Sequence, residues 1–142
     1  MSYTKCFGLI VLFISYFFLF WNTNPAAAVW YIETVVSGGD VGAYSSLELS
    51  SDDKPHISYC DATTGTLKYA KYDSTWRTET VDYIGHVGGT ISLALDSSGH
   101  PHISYKDETS GTLKYAWYDG TWHTQPVDNA GNVGNYASLA LD

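Results

Sequence analysis

The residues of this 142-residue chain that could do chemistry are five histidines, fifteen carboxylates and twelve tyrosines, against a single arginine, Arg77, and two cysteines. His100 and His102 flank Pro101. Two histidines at i and i+2 of a strand can face one way, which is a start for a metal site. His56, however, precedes His102 by one 46-residue repeat, and repetition favours a hydrogen-bonding position in the framework. The turns Asp52-Asp53 and Asp96-Ser97-Ser98 carry carboxylates without the ligand density and spacing of a defined calcium loop. One arginine cannot clamp an anion with several guanidinium groups. No glycine-rich phosphate loop runs from a strand into a helix, and no nucleophile–base pair is readable. No catalytic residue, metal or cofactor is assigned.

A more specific pattern lies in three copies of Gly-x-Val-Gly: Gly39-Asp40-Val41-Gly42, Gly85-His86-Val87-Gly88 and Gly131-Asn132-Val133-Gly134. The glycines and the valine stay fixed while x changes through Asp40, His86 and Asn132. On one reading, glycine permits a positive φ and valine plugs a gap between repeats. On the other, x points into a mouth and contacts a ligand. Tyr44 and Tyr136, with the segments that start at Asp61 and Asp107, would add flat aromatic faces and hydrogen-bonding groups. A sugar-binding surface needs that mixture, so these seven residues are the candidate ligand contacts.

The elements that position them are legible from the repeat. Residues 30–75 align with 76–121 without a gap and share 27 of 46 residues, and 122–142 matches 76–96 at 12 of 21. A gapless period of this length points to a propeller or a solenoid. Helical solenoids are excluded because Gly, Pro, Asp and Ser clusters break each copy every six to ten residues. Between the breaks lie short runs with period-two alternation, four per copy. The expected fold is all-β, built of four-stranded antiparallel β-propeller blades. Labelled from the axis outward, the strands read D 30–35, A 44–49, B 56–59, C 67–72, D 76–81, A 90–95, B 102–105, C 113–118, D 122–127 and A 136–141. That is two complete blades with a flanking outer strand and a flanking inner one. Asp119-Gly120 is a two-residue hairpin signal, since both residues can take φ > 0. Ile91, Leu93, Leu95, Ile103, Tyr105, Leu113 and Tyr115 are expected to line the contact between neighbouring blades.

The units Ser92-Leu93-Ala94-Leu95-Asp96-Ser97-Ser98-Gly99, Pro101-His102-Ile103-Ser104-Tyr105 and Leu113-Lys114-Tyr115-Ala116 resemble the repeats of secreted prokaryotic β-propellers, grouped with sialidase-like (BNR or Asp-box) propellers. The resemblance covers essentially all of 30–142. The turns Tyr118-Asp119-Gly120-Thr121-Trp122 and Tyr72-Asp73-Ser74-Thr75-Trp76 are shortened relative to a full Asp-box. The family's sialidase sites use three arginines, a tyrosine nucleophile and an acidic partner, which Arg77 alone cannot reproduce.

Residues 1–28 read as a signal peptide: Lys5, an apolar run from Phe7 to Trp21, then Pro25-Ala26-Ala27-Ala28 with cleavage after Ala28. An uncleaved N-terminal anchor is the alternative, although the run is short of the roughly 20 residues that span a bilayer. The remaining 29–142 carries six basic and fifteen acidic residues, a formal charge of 6 − 15 = −9. Such a balance disfavours nucleic acid, which needs clustered cations. Cys60 has Lys106 at its repeat position and reads as a solvent-facing free thiol. The expectation is a secreted or cell-surface binding module for glycans or protein partners, with no membrane span in the mature chain. It reads as the N-terminal piece of a longer propeller, with further blades in cis. A ring of several copies meets a counting difficulty, because a leftover D and a leftover A do not tile. The alternatives are the N-terminal part of a glycoside hydrolase and a scaffold for display.

Overall fold

The structure, a computed structural model, describes residues 29–142, so the expected signal peptide lies outside the described residues. Val29 to Glu33 form no strand, and Trp30, Tyr31 and Ile32 are exposed. The expected D strand at 30–35 is therefore corrected. A strand's N–H and C=O groups need a neighbouring strand, and this segment pairs with none.

Residues 34–142 form one compact unit of two sheets. The first comprises β1 (Val41–Leu49), β2 (Pro55–Asp61), β3 (Thr66–Asp73) and β4 (Thr75–Asp82). The second comprises β5 (Val87–Leu95), β6 (Pro101–Asp107), β7 (Thr112–Tyr118) and β8 (Trp122–Asp128). Each is antiparallel and pairs its strands in sequence order, as one propeller blade would. No helix occurs among the described residues. Short polar turns joining β-rich runs leave hairpins as the local solution. In the β3–β4 and β7–β8 turns only Ser74 and Gly120 take positive φ, 65° and 117°, so the two-residue turn with both centres left-handed is corrected to one with a single such residue.

The sheets face each other and splay. β1 packs along β5, whereas β4 and β8 touch at few points. This wedge is the arrangement expected of blades around an axis, with β1 and β5 innermost; two sheets do not close a ring. Leu67, Cys60 and Tyr69 of the first sheet meet Ile91, Leu93, Ile103, Tyr105 and Ala116 of the second in a buried core.

Register corrects the expected interface. Ile91, Leu93 and Leu95 pair with Tyr105, Ile103 and Pro101, and Ile103 and Tyr105 pair with Ala116 and Lys114. Residues directly opposed share a face. Lys114 and Ala116 therefore join the face toward the first sheet, while Leu113 and Tyr115 share the far face with Lys106 and Ser104. The seven expected residues divide between two faces. The alternation of each strand was legible; the relative phase of β6 and β7 depends on their register.

The expected A strand at 136–141 is also corrected: it pairs with no strand. It nonetheless lies where such a strand belongs. Leu139 N donates to Ser92 Oγ (3.1 Å), repeating the bond from Leu93 N to Ser46 Oγ (3.1 Å). The seat on the neighbouring sheet is formed, without the in-sheet ladder that defines a strand.

Candidate functional site

The loops carrying Asp40, His86 and Asn132 lie at the same end of the sheets as the β2–β3 and β6–β7 loops. Gly39, Gly85 and Gly131 hold φ of 86°, 90° and 105°, a region that glycine enters without a Cβ penalty. The following backbone is bonded to neighbouring loops, on both sides at His86 and Val87. Asp40 C=O accepts from Ala62 N (2.8 Å) and His86 C=O from Glu108 N (2.8 Å). Val87 N donates back to Gly65 C=O (3.0 Å), and Val133 N to Gly111 C=O (2.9 Å). Val87 is buried between the sheets, whereas Asp40, His86 and Asn132 are exposed. A side chain at Gly65 would collide with the His86 ring, so the histidine lies over the preceding repeat's loop. The same arrangement sets Asn132 against Gly111.

Asp61 and Asp107 turn their carboxylates into their own loops. Asp61 Oδ1 accepts from Thr63 N (3.1 Å) and Thr64 N (3.3 Å). Asp107 Oδ1 accepts from Thr109 N (2.9 Å), and its Oδ2 from Ser110 Oγ (2.8 Å). Such bonds let an aspartate shape a turn. Burial pushes the Asp107 carboxyl up, but the Ser110 and Thr109 donors outweigh it and leave the group below its ordinary range.

Tyr44 and Tyr136 occupy the same repeat position, at φ of 56° and 59°, in the left-handed region that bulky residues rarely enter. A bulge between Val41 and Ser46 re-aims Tyr44 out of the ladder, with its ring against Gly88 of the second sheet. Tyr136 N donates to Thr90 Oγ1 (2.7 Å), and its side chain is 93% exposed. The structure thus brings Asp40, His86 and Asn132 to one loop end. It places Asp61 and Asp107 in the turns below them, and Tyr44 and Tyr136 at the start of the inner segments.

Cys60 corrects another expectation. It is 2% exposed and its thiol donates to Val87 C=O (2.9 Å), so it is a core residue between the sheets. Burial pushes the thiol up, which keeps it protonated and unreactive. Lys106, at the same repeat position, is equally buried, and pairs with Glu108 (2.8 Å) and Asn135 (3.0 Å).

The repeated histidines hold the framework position assigned to them. His56 Nδ1 bonds the Tyr69 hydroxyl, and His102 Nδ1 bonds that of Tyr115. No cluster of three metal-ligating side chains occurs among the described residues. Burial, and then the Lys71 charge, hold the His56 imidazole below its ordinary value. The unfolded chain therefore binds a proton at higher pH than the folded one. This contribution to stability is complete above about pH 6.5 and is lost as pH falls below it. Thermal melts from pH 7.5 to 5 should show a declining midpoint for the wild type and a shallower decline for His56→Gln. Equal slopes would exclude His56 as the source.

Sequence reasoning missed a charged cluster between the sheets. Asp82 Oδ2 accepts from Tyr105 Oη (2.6 Å) and pairs with Lys114 Nζ, and its Oδ1 accepts from Ile84 N (2.9 Å). Nearby, Trp122 Nε1 donates to Glu79 Oε2 (2.9 Å). The signal was present in the repeat, where position 82 reads Val36, Asp82, Asp128 along the chain. Only the packing of one sheet on the next makes partners of residues 82, 105 and 114. Comparison of the chain with protein-family models, with curated proteins and with solved structures finds no match.

Proposed function

We propose that this chain is a secreted or cell-surface binding module of the propeller type, and that the end bearing Tyr44, Tyr136 and the Gly-x-Val-Gly loops contacts glycans. One observation carries the reading. Two exposed tyrosines at equivalent repeat positions both hold a left-handed backbone, a conformation that costs about 1–2 kcal/mol for a residue with a Cβ. Strain of this kind persists at sites where a side chain is held for use. Backbone bonds tie the adjoining loops to the β2–β3 and β6–β7 loops, the His86 loop to both, so Asp40, His86 and Asn132 project from a fixed base. Flat aromatic faces beside such polar groups suit a sugar ring.

The test is a glycan array probed with the full chain, followed by titration of any glycan retained. Tyr44→Ala and Tyr136→Ala should each weaken binding by about tenfold, the range of one aromatic contact, and leave the melting temperature unlowered. The reading fails if no glycan is retained, or if both variants bind as the wild type does.

A further inference from the structure

At the end opposite the Gly-x-Val-Gly loops a cleft opens between the two sheets. Its outer part, about 300 Å³, lies between the β1–β2 and β5–β6 turns and is lined by Lys54, His56, Lys71, Asp73, Ser97 and Ser98, among others. A second space of about 80 Å³ adjoins it, sharing His56, Lys71 and Gly99 and bordered also by Glu79, His100 and Tyr118. Strand register sets the charges of its first wall. Glu48 pairs with His56, His56 with Lys71, and Lys71 with Arg77, so these four form one row across a single face of the first sheet. Lys71 is half-buried and Arg77 is exposed. Like charges directly opposed across a ladder repel, yet neither cation forms an ion pair among the described residues. The framework does not require them. The same row of the second sheet reads Ala94, His102, Trp117 and His123, with Trp117 stacked on His123 at 5.1 Å.

The carboxylates that line the cleft already have donors. Lys54 pairs with Asp52 (2.9 Å) and Asp73 (3.8 Å), and Asp52 Oδ1 also accepts from Ser50 Oγ (2.6 Å). Glu79 Oε2 accepts from Trp122 Nε1 (2.9 Å). The opposite wall is fixed, because Asp96 Oδ1 accepts from Ser98 N and His100 N, both at 2.8 Å. We propose that this cleft binds a tetrahedral oxyanion, sulfate or phosphate, free or carried as an ester, against Lys71 and Arg77. An anion there relieves the repulsion between the two cations and gives each a charge-assisted hydrogen bond. Lysine and arginine are the side chains suited to sulfate- and phosphate-like oxygens. The serines and Tyr72 of the outer part would face the body of an ester. The site lies wholly between the two sheets and is separate from the Tyr44 and Tyr136 end, so it stands or falls independently of the glycan reading.

Nuclear magnetic resonance of the full chain tests this, with inorganic sulfate or inorganic phosphate added at ionic strength held constant with sodium chloride. Amide shifts of residues 54–56, 71–73 and 97–100 should move and saturate. Lys71→Gln and Arg77→Gln should each weaken binding by about tenfold or more, the effect of one hydrogen bond to a charged group. Lys71→Arg keeps the charge and should still bind. Arg77 is exposed, so its variant removes a cation without disturbing the core. Parallel titrations with a hexose 6-sulfate and a hexose 6-phosphate name the source. Either supports the proposal: esters that bind about tenfold tighter than the free ions point to an ester ligand, and free ions that bind as well or better point to the ion itself. The proposal is overturned if no anion gives saturable shifts, if the shifts fall outside the cleft, or if both neutral variants bind as the wild type does.

Discussion

Asp82→Ala is expected to destabilise the protein by about 3–5 kcal/mol, the cost of breaking a buried ion pair from one side. Asp82 is 3% exposed and receives Lys114, the Tyr105 hydroxyl and the Ile84 amide. Without it the Lys114 ammonium and the Tyr105 phenol lose their shared acceptor between the sheets. Tyr105 does not answer by ionising, because burial, the largest cause that pushes its phenol above the ordinary value, remains when the carboxylate is gone. Asp82→Asn keeps an acceptor and should cost less. The counterpart in the first sheet supplies the control: Val36 occupies the position and Lys68 is only partly buried. Urea denaturation at pH 7 measures both variants. A loss below about 1 kcal/mol for Asp82→Ala would show that Lys114 reaches solvent by a small rearrangement.

Leu93→Ala should cost about 2–5 kcal/mol, the range for deleting a buried leucine side chain where its surroundings relax only in part. Leu93 is 2% exposed and sits on β5 where the two sheets lie closest. Ile91 and Ile103 border it; β6, which carries Ile103, is held by ladders on both sides, which limits collapse into the cavity. Leu47, its repeat counterpart, is 57% exposed, so Leu47→Ala in the monomer should stay within about 0.5 kcal/mol. The pair of variants separates position from residue type. If both substitutions cost the same, the assignment of the buried face is inverted.

The eight strands are legible in the sequence to within a few residues at their ends because each is a local signal. Period-two alternation, Pro55 and Pro101 at strand starts, and Asp- and Gly-bearing turns act over fewer than ten residues. The candidate ligand contacts were legible as a varying position between fixed glycines. The bonds that occupy Asp61 and Asp107 were legible only in part, since Asp followed two and three residues later by Thr or Ser is a turn pattern as well as a binding one. Cys60 misled because its repeat partner is Lys106. A position that accepts lysine reads as wet, yet Lys106 is itself buried against Glu108 and Asn135.

By itself the sequence determined the class of fold, the repeat and the order of strands in each sheet, because these follow from spacing along one chain. Tertiary structure alone decided which face of β7 meets the first sheet, since a one-residue change in strand register moves every side chain to the opposite face. It decided that residues 30–35 and 136–141 are not strands, because a strand exists only where a neighbour takes up its backbone groups. It also decided that Asp82, Tyr105 and Lys114 form one buried cluster. Those three residues are far apart in sequence and become partners only through the stacking of one repeat on the next, where low polarity makes an unpaired charge too costly to leave.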